Sequence, residues 1–366
     1  MKVLMAAPFN PQGRYAGGIC TIVNGIIKET SYLDKLGLHI VPFETCRVSR
    51  QNVERARLNF GNVKNTLKMW TAISKEINAN SAEVLYFHTS RRFALLKDLI
   101  TVAIAKHKTS IQTILHIHFA GIKNILTDYK WADRLMMHLM NKYVDEMVFL
   151  SKQTKQEFME YGLETKTRVI YNYGQLTKCD IDNKVQSNKE QFEMLFVGSI
   201  DERKGILDLL EAMTRLPLPI RLRVCGGGAS VKIQDAFSQY QSRLGNRLVF
   251  HGYVSGEEKQ RIFNNADALV LPSYGEGLPL VIFEAYQAGC AVITTEVGAI
   301  REVVKEDNGF FIVPGDIDGI VQATERLIND RELLKQMQLA NWIAADQYTI
   351  YVFIDGVYKA STEVVS

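Results

Sequence analysis

Two glutamates, Glu276 and Glu284, bracket the segment EGLPLVIFE, and Pro272-Ser273-Tyr274-Gly275 leads directly into it. Read as continuous helix, that eight-residue step is about 800° of rotation, close to two full turns, with a rise of ~12 Å. Two carboxylates so spaced could serve opposite ends of one extended ligand. A cationic site lies upstream in Phe196–Gly205, where Gly198 and Ser199 turn the chain and Arg203 and Lys204 precede a leucine-rich helical stretch. A lysine beside the free N–H groups of a helix start makes an anion site, because dipole and charge act together. Val224-Cys225-Gly226-Gly227-Gly228 allows close backbone approach to a ligand, but it is not the G-x-G-x-x-G dinucleotide pattern. Phe250–Val254 sets Tyr253 and Val254 where a base could lie. In the first half, Leu115–Gly121 puts His116 and His118 on one face of a strand, and Arg91 and Arg92 follow another strand.

Strand-like runs alternating with helix-length segments are the mark of parallel βαβ units. Residues 2–7, 38–42, 84–88, 110–118, 146–150 and 167–171 form one series of expected strands. A second series comprises 193–197, 220–225, 248–252, 268–271 and 291–294. Two series predict an α/β protein with two Rossmann-like, doubly wound domains facing a cleft, since ligands of such sheets bind at the carboxyl ends of the strands. The expected division is a first domain over 1–175, a polar linker over 176–191 and a second domain over 192–349. A helical stretch over about 330–362, broken near 346–350, lets the last part, about 350–366, pack back on the first domain.

At 366 residues the chain is long enough for two cores. Apolar content of 47% and charged content of 23% are ordinary for a globular protein and argue against disorder. Five scattered cysteines, none in a C-x-x-C pair, read as small buried hydrophobes in a reducing cytoplasm rather than a zinc cluster. Met1–Pro8 reads as a first strand, too short in its apolar run for a signal peptide, and no apolar stretch is long enough to span a bilayer. Charge is uneven: residues 1–175 hold 24 Lys/Arg against 14 Asp/Glu, and the remainder 19 against 26. The basic excess peaks in 47–68, where Arg47, Arg50, Arg55, Arg57, Lys64 and Lys68 are interleaved with apolar residues. That composition suits either an anionic membrane surface or an ordinary amphipathic helix; nucleic acid is not an expected partner.

Taken in order, V-G-x-x-x-x-x-K-G (Val197–Gly205), the glycine turn, H-G-Y-V (His251–Val254), A-D-x-x-V-x-P-S ending at Ser273, E-G-x-P-x-x-x-x-E-A (Glu276–Ala285) and G-x-x-x-E-V-V (Gly298–Val304) strongly resemble the retaining glycosyltransferases of family 4, with the GT-B fold. The resemblance covers nearly the whole chain and is most specific in the second half. It implies that Glu276 contacts a donor-sugar hydroxyl, that Glu284 accepts from the ribose hydroxyls, and that backbone N–H groups of Gly277 and Leu278 meet the diphosphate or sugar. Lys204 would neutralise charge on the leaving nucleoside diphosphate, Tyr253 and Val254 would border the base, and Pro279 suits the first helical turn. In the first domain the Gly-Gly loop, Gly17 and Gly18, would approach the donor phosphates, and His118 would lie near the sugar.

One departure stands out: the family usually has arginine after the phosphate-turn glycine, and this chain has Ser199, so Arg203 either substitutes or the phosphate is held differently. Asp180-Ile181-Asp182 and Asp316-Ile317-Asp318 match the Asp-x-Asp metal motif literally, but both lie away from the expected diphosphate. No metal or other cofactor is therefore expected. The implied activity is transfer of a sugar from a nucleotide diphosphate sugar, with uridine the guess for the base, to a glycan or polyprenyl-linked acceptor in bacterial surface polysaccharide synthesis. It would take place in the cytoplasm or at the inner face of the plasma membrane. The rival readings are a catalytically silent partner subunit and a sugar-nucleotide epimerase or hydrolase.

Overall fold

The computed structural model describes residues 1–9, 17–45, 60–127, 129–187, 189–217, 219–228 and 230–366. The chain divides into two compact units: residues 1–172 with 350–366, and residues 173–349. Most of the basic stretch 47–68 lies outside the described residues.

The first unit is a six-stranded parallel sheet built from β1 (Lys2–Ala7), β2 (His39–Glu44), β3 (Val84–Thr89), β4 (Gln112–Ile117), β5 (Glu146–Phe149) and β6 (Lys166–Val169), in the order β2-β1-β3-β4-β5-β6. All six residues of β3 are buried, as they must be in a parallel sheet covered on both faces. The order reverses between β1 and β3, so the carboxyl ends of these two strands flank the switch point where such sheets take ligands. The last helix, Ile350–Val365, belongs to this unit: the Tyr32 hydroxyl donates to Asp355 at 2.8 Å, Arg168 donates to Glu363 at 2.7 Å, and Phe353 lies over the His116 ring.

The second unit carries β7 (Phe192–Val197), β8 (Ile220–Cys225), β9 (Leu248–Gly252), β10 (Ala268–Leu271), β11 (Ala291–Thr295) and β12 (Gly309–Ile312), in the order β12-β11-β10-β7-β8-β9. Within the unit this is the doubly wound order 3-2-1-4-5-6, and its switch point lies between β7 and β10. The four-residue edge strand β12 was not among the expected strands; a run of Phe-Phe-Ile after one glycine is too short to show a period.

Residues 176–191, expected as linker, belong to the second unit and contain the helix Ile181–Gln186. Ile181 is buried, the Lys184 ammonium is buried against the Ala288 carbonyl at 2.5 Å, and the Trp342 indole donates to the Cys179 carbonyl at 3.0 Å. Six residues are too few to display an apolar period, so the polar composition concealed their packing.

Candidate functional site

The two loops at the switch point of the second unit are built to meet. Beyond β7, the Asp201 side chain accepts from the Lys204 N–H and caps a 3-10 turn, Glu202–Lys204, which aims the lysine back along the sheet. Gly205 follows at φ +69, and a Cβ there would strike the Pro272 carbonyl, so only glycine lets the β7 and β10 loops close on each other. The Tyr274 N–H donates to the Arg203 carbonyl at 2.8 Å, the Arg203 guanidinium to the Gly275 carbonyl at 2.6 Å, and the Tyr274 hydroxyl to Asp208 at 2.9 Å.

Held this way, Lys204 Nζ donates to Glu276 Oε1 at 2.6 Å, and the Ser273 hydroxyl donates to the same oxygen at 2.7 Å. Both charged side chains are largely buried, so the Coulomb attraction is little screened and neither partner can leave without stranding the other. Gly298, at φ +65, packs against the carbonyls of Glu276 and Gly277; a side chain there would displace the loop that carries the carboxylate.

The helix after this loop starts later than the sequence suggests. It runs Leu280–Gln287 with Pro279 as its N-cap in extended conformation (ψ 131). Proline disfavours helical geometry at the residue before it, here Leu278, so the helix cannot extend back to Glu276. Glu276 therefore sits on the strand-end loop and Glu284 inside the helix, and the two-turn helical ruler expected from their spacing does not exist. Gly277 and Leu278 precede the helix rather than open it, and the Leu278 side chain is buried.

Glu284 is fully buried, with Lys259 Nζ donating to Oε1 at 2.5 Å and Oε2 without a partner. A buried carboxylate oxygen left unsatisfied is costly, and a hydroxyl-bearing ligand would satisfy it. Lys259 was not singled out in the sequence; its only signal is that it follows H-G-Y-V in the helix Gly256–Asn265. Three residues past Glu284, Gln287 accepts from the Leu176 N–H and donates to the Gly174 carbonyl, fixing the helix from behind. Just after β9, Tyr253 is 70% exposed while Val254 is buried.

Ser199 has no guanidinium to offer. Its hydroxyl donates to Asp201 at 2.7 Å and so braces the turn that aims Lys204. Both Asp-x-Asp matches are likewise engaged in structure. Asp180 caps Ile181–Gln186, Asp316 caps Ile317–Asn329, and Asp318 pairs with Arg215 at 2.9 Å.

In the first unit, Gly17 caps the helix Gly18–Lys28, and both glycines are exposed, with nothing within 4 Å of where a Cβ would stand. At the carboxyl ends of β3 and β4, strand alternation and the pairing of His88 with His116 bring three histidines onto one sheet face. His88 Nδ1 and His118 Nε2 are 2.7 Å apart, His116 Nδ1 is 3.1 Å from the Tyr86 hydroxyl, and the His116 and His118 rings stack. His88 was missed in the sequence although the same period of two would have found it. Burial holds His88 and His116 well below the usual imidazole range and brings His118 down to about 3. One nitrogen from each of the three rings lies within 4.8 Å of the others. Within the trio His88 and His118 are hydrogen-bonded to each other, while His116 bonds Tyr86 and stacks on His118. Arg91 lies over the Phe119 ring at 4.4 Å from its centre.

Residues 177–341, which contain Lys204, Lys259, Glu276 and Glu284, match the family of glycosyl transferases group 1. An uncharacterized glycosyltransferase of Methanocaldococcus jannaschii is 27% identical over 60% of this chain and 60% of its own length. The capsular polysaccharide biosynthesis glycosyltransferase CapM of Staphylococcus aureus is 24% identical over 85% of this chain and 81% of its own. Among solved structures, Anabaena HepE in complex with UDP-glucose superposes with a TM-score of 0.71 at 18% identity, covering 99% of this chain and 100% of that one. The fold is GT-B: two parallel six-stranded sheets with flanking helices, the second lying within the matched segment.

Proposed function

We propose that the protein is a retaining glycosyltransferase that moves a sugar from a nucleoside diphosphate donor to a hydroxyl of a glycan or lipid-linked acceptor in surface polysaccharide synthesis. The observation that carries this reading is the pairing of Lys204 with Glu276 at the switch point of the group 1 domain, beside a buried Glu284 with one unsatisfied oxygen. The kinship with CapM supports the polysaccharide setting, and the UDP-glucose held by HepE supports a uridine nucleotide sugar.

In this reading Glu284 Oε2 accepts from the ribose hydroxyls while Lys259, donating to Oε1, holds the carboxylate in place. Glu276 accepts from a hydroxyl of the donor sugar, and Lys204 faces the diphosphate, where negative charge grows as the glycosidic bond breaks. Gly277 and Leu278 offer backbone N–H groups, Arg203 adds cationic charge in place of the missing arginine at 199, and Tyr253 and Val254 border the base. The acceptor oxygen forms its bond to the anomeric carbon on the face the diphosphate leaves, and its proton passes to the departing phosphate oxygen. No carboxylate acts as nucleophile, and charge at the diphosphate is met by Lys204 and N–H groups without a divalent ion.

The test is to incubate the protein with labelled UDP-sugars, with and without a polyprenyl-linked saccharide, and to read the product anomer by NMR. Acceptor-dependent transfer with retained configuration, undiminished by EDTA, is the expected result. An inverted product, a requirement for divalent metal, nucleotide release that ignores the acceptor, or no turnover at all would each contradict the proposal.

A further inference from the structure

The first unit presents a second face that the donor chemistry does not use. The helix Lys130–Tyr143 buries Ala132, Asp133, Met136, Met137, Leu139 and Met140 and turns Trp131, Arg134, Leu135 and His138 outward at i, i+3, i+4 and i+7. That outward stripe is not a solvated polar face. Trp131 is 62% exposed, and Tyr129, just ahead of it, is 57% exposed. Phe93, at the start of the helix Phe93–Thr109, is 54% exposed with its ring 6.2 Å from that of Tyr129, so the aromatic tips form one group. Scattered exposed apolar residues are ordinary, but a pair of neighbouring exposed aromatic rings, with exposed Trp131 two residues beyond Tyr129, marks a surface that meets something.

The charges around this group have one sign. Lys123, Lys130 and Arg134 are exposed, as are Arg91 and Arg92 beside Phe93. The acids of the same segments point inward: Asp133 accepts from the Thr127 N–H and hydroxyl, and Asp98 accepts from the Thr89 hydroxyl and from Lys97. Among the described residues from 91 to 138, no acidic side chain is exposed. Aromatic rings beside exposed cations, with no exposed acid among the described residues of these segments, match the headgroup layer of an anionic bilayer, where Trp and Tyr settle and Lys and Arg meet phosphate. No helix among the described residues is long and apolar enough to cross a membrane, so the contact would be peripheral.

We infer that the face carrying Phe93, Tyr129, Lys130, Trp131 and Arg134 docks the protein on an anionic lipid bilayer. The inference goes beyond the proposed transfer reaction and does not depend on it, because it rests on the first unit's surface and not on the donor site.

It is tested by co-sedimentation with phosphatidylcholine vesicles made with or without phosphatidylglycerol. The intact protein is expected to bind the anionic vesicles, to release in high salt, and to ignore pure phosphatidylcholine. The quadruple variant Tyr129→Ser, Lys130→Glu, Trp131→Ser, Arg134→Glu should bind anionic vesicles at least tenfold more weakly while keeping its melting temperature and its UDP binding, since all four side chains are exposed. Equal binding by the variant, or no binding by the intact protein, would overturn the inference. So would a size-exclusion shift from dimer to monomer in the variant, which would assign the face to a second copy of this chain. A protein that binds vesicles but no nucleotide would leave this inference standing and remove the proposed function.

Discussion

Replacing Lys204 by alanine is expected to lower kcat by about 10²–10³-fold, the scale of losing one pre-positioned electrostatic contact to the transition state. The donor KM should move far less, because charge on the departing diphosphate is larger in the transition state than in the bound donor. The variant also leaves the largely buried Glu276 carboxylate without its ion-pair partner, 2.6 Å away in the intact protein. Stranding such a charge costs about 3–5 kcal/mol, so the single variant should melt earlier as well as turn over more slowly. The double variant Lys204→Ala, Glu276→Gln separates the two effects: removing the stranded charge should recover much of the melting temperature and none of the rate. Recovery of turnover in the double variant would show that Lys204 serves only to hold Glu276.

The three buried imidazoles make the first unit acid-labile. Each has a folded-state pKa far below its unfolded value near 6.5, His118 at about 3. Below pH 6.5 the unfolded chain therefore binds more protons than the folded one, so stability is complete above that pH and falls as pH drops. Each proton contributes about 1.4 kcal/mol per pH unit, and three together about 4 kcal/mol per unit. Against a typical total stability of about 5–15 kcal/mol, a slope of that sign should bring the first unit's urea midpoint down clearly between pH 7.5 and 5.5. Urea titrations at pH 7.5 and 5.5 check it, followed by fluorescence of Trp70, whose indole donates to Thr101 in this unit, with Trp131 and Trp342 replaced by Phe. His116→Phe should cut the slope by about a third. It also leaves the Tyr86 hydroxyl without its imidazole partner, an offset of about 1–3 kcal/mol at every pH, but only the slope reports the proton. An unchanged slope would mean that His116 is charged in the folded protein or already neutral when unfolded.

Much of this was legible in the residues because parallel strands buried on both faces are runs of apolar, β-branched and aromatic side chains that cannot be hidden in a sequence. Eleven strands stood out for that reason, and the motifs at their ends located Lys204, Glu276 and Glu284. What stayed hidden depends on contacts between segments. Lys259 matters because folding brings it to Glu284 from another helix, and no local spacing encodes that. The helix start was misjudged because Pro279 fits both a first helical position and an N-cap, and only the backbone decides. The missing arginine at 199 was visible, but not that Ser199 would brace the turn through Asp201.

The division of labour between the two glutamates is the central claim, and a pair of isothermal titrations tests it most directly. UDP, which carries the ribose and diphosphate but no sugar, is titrated into the intact protein and into Glu284→Gln and Glu276→Gln. The intact protein should bind UDP, Glu284→Gln should bind it at least tenfold more weakly, a loss of about 1.4 kcal/mol or more, and Glu276→Gln should bind it unchanged while losing affinity for UDP-glucose. Equal UDP affinity in the intact protein and Glu284→Gln, or no binding of any nucleoside diphosphate by the intact protein, would contradict the account.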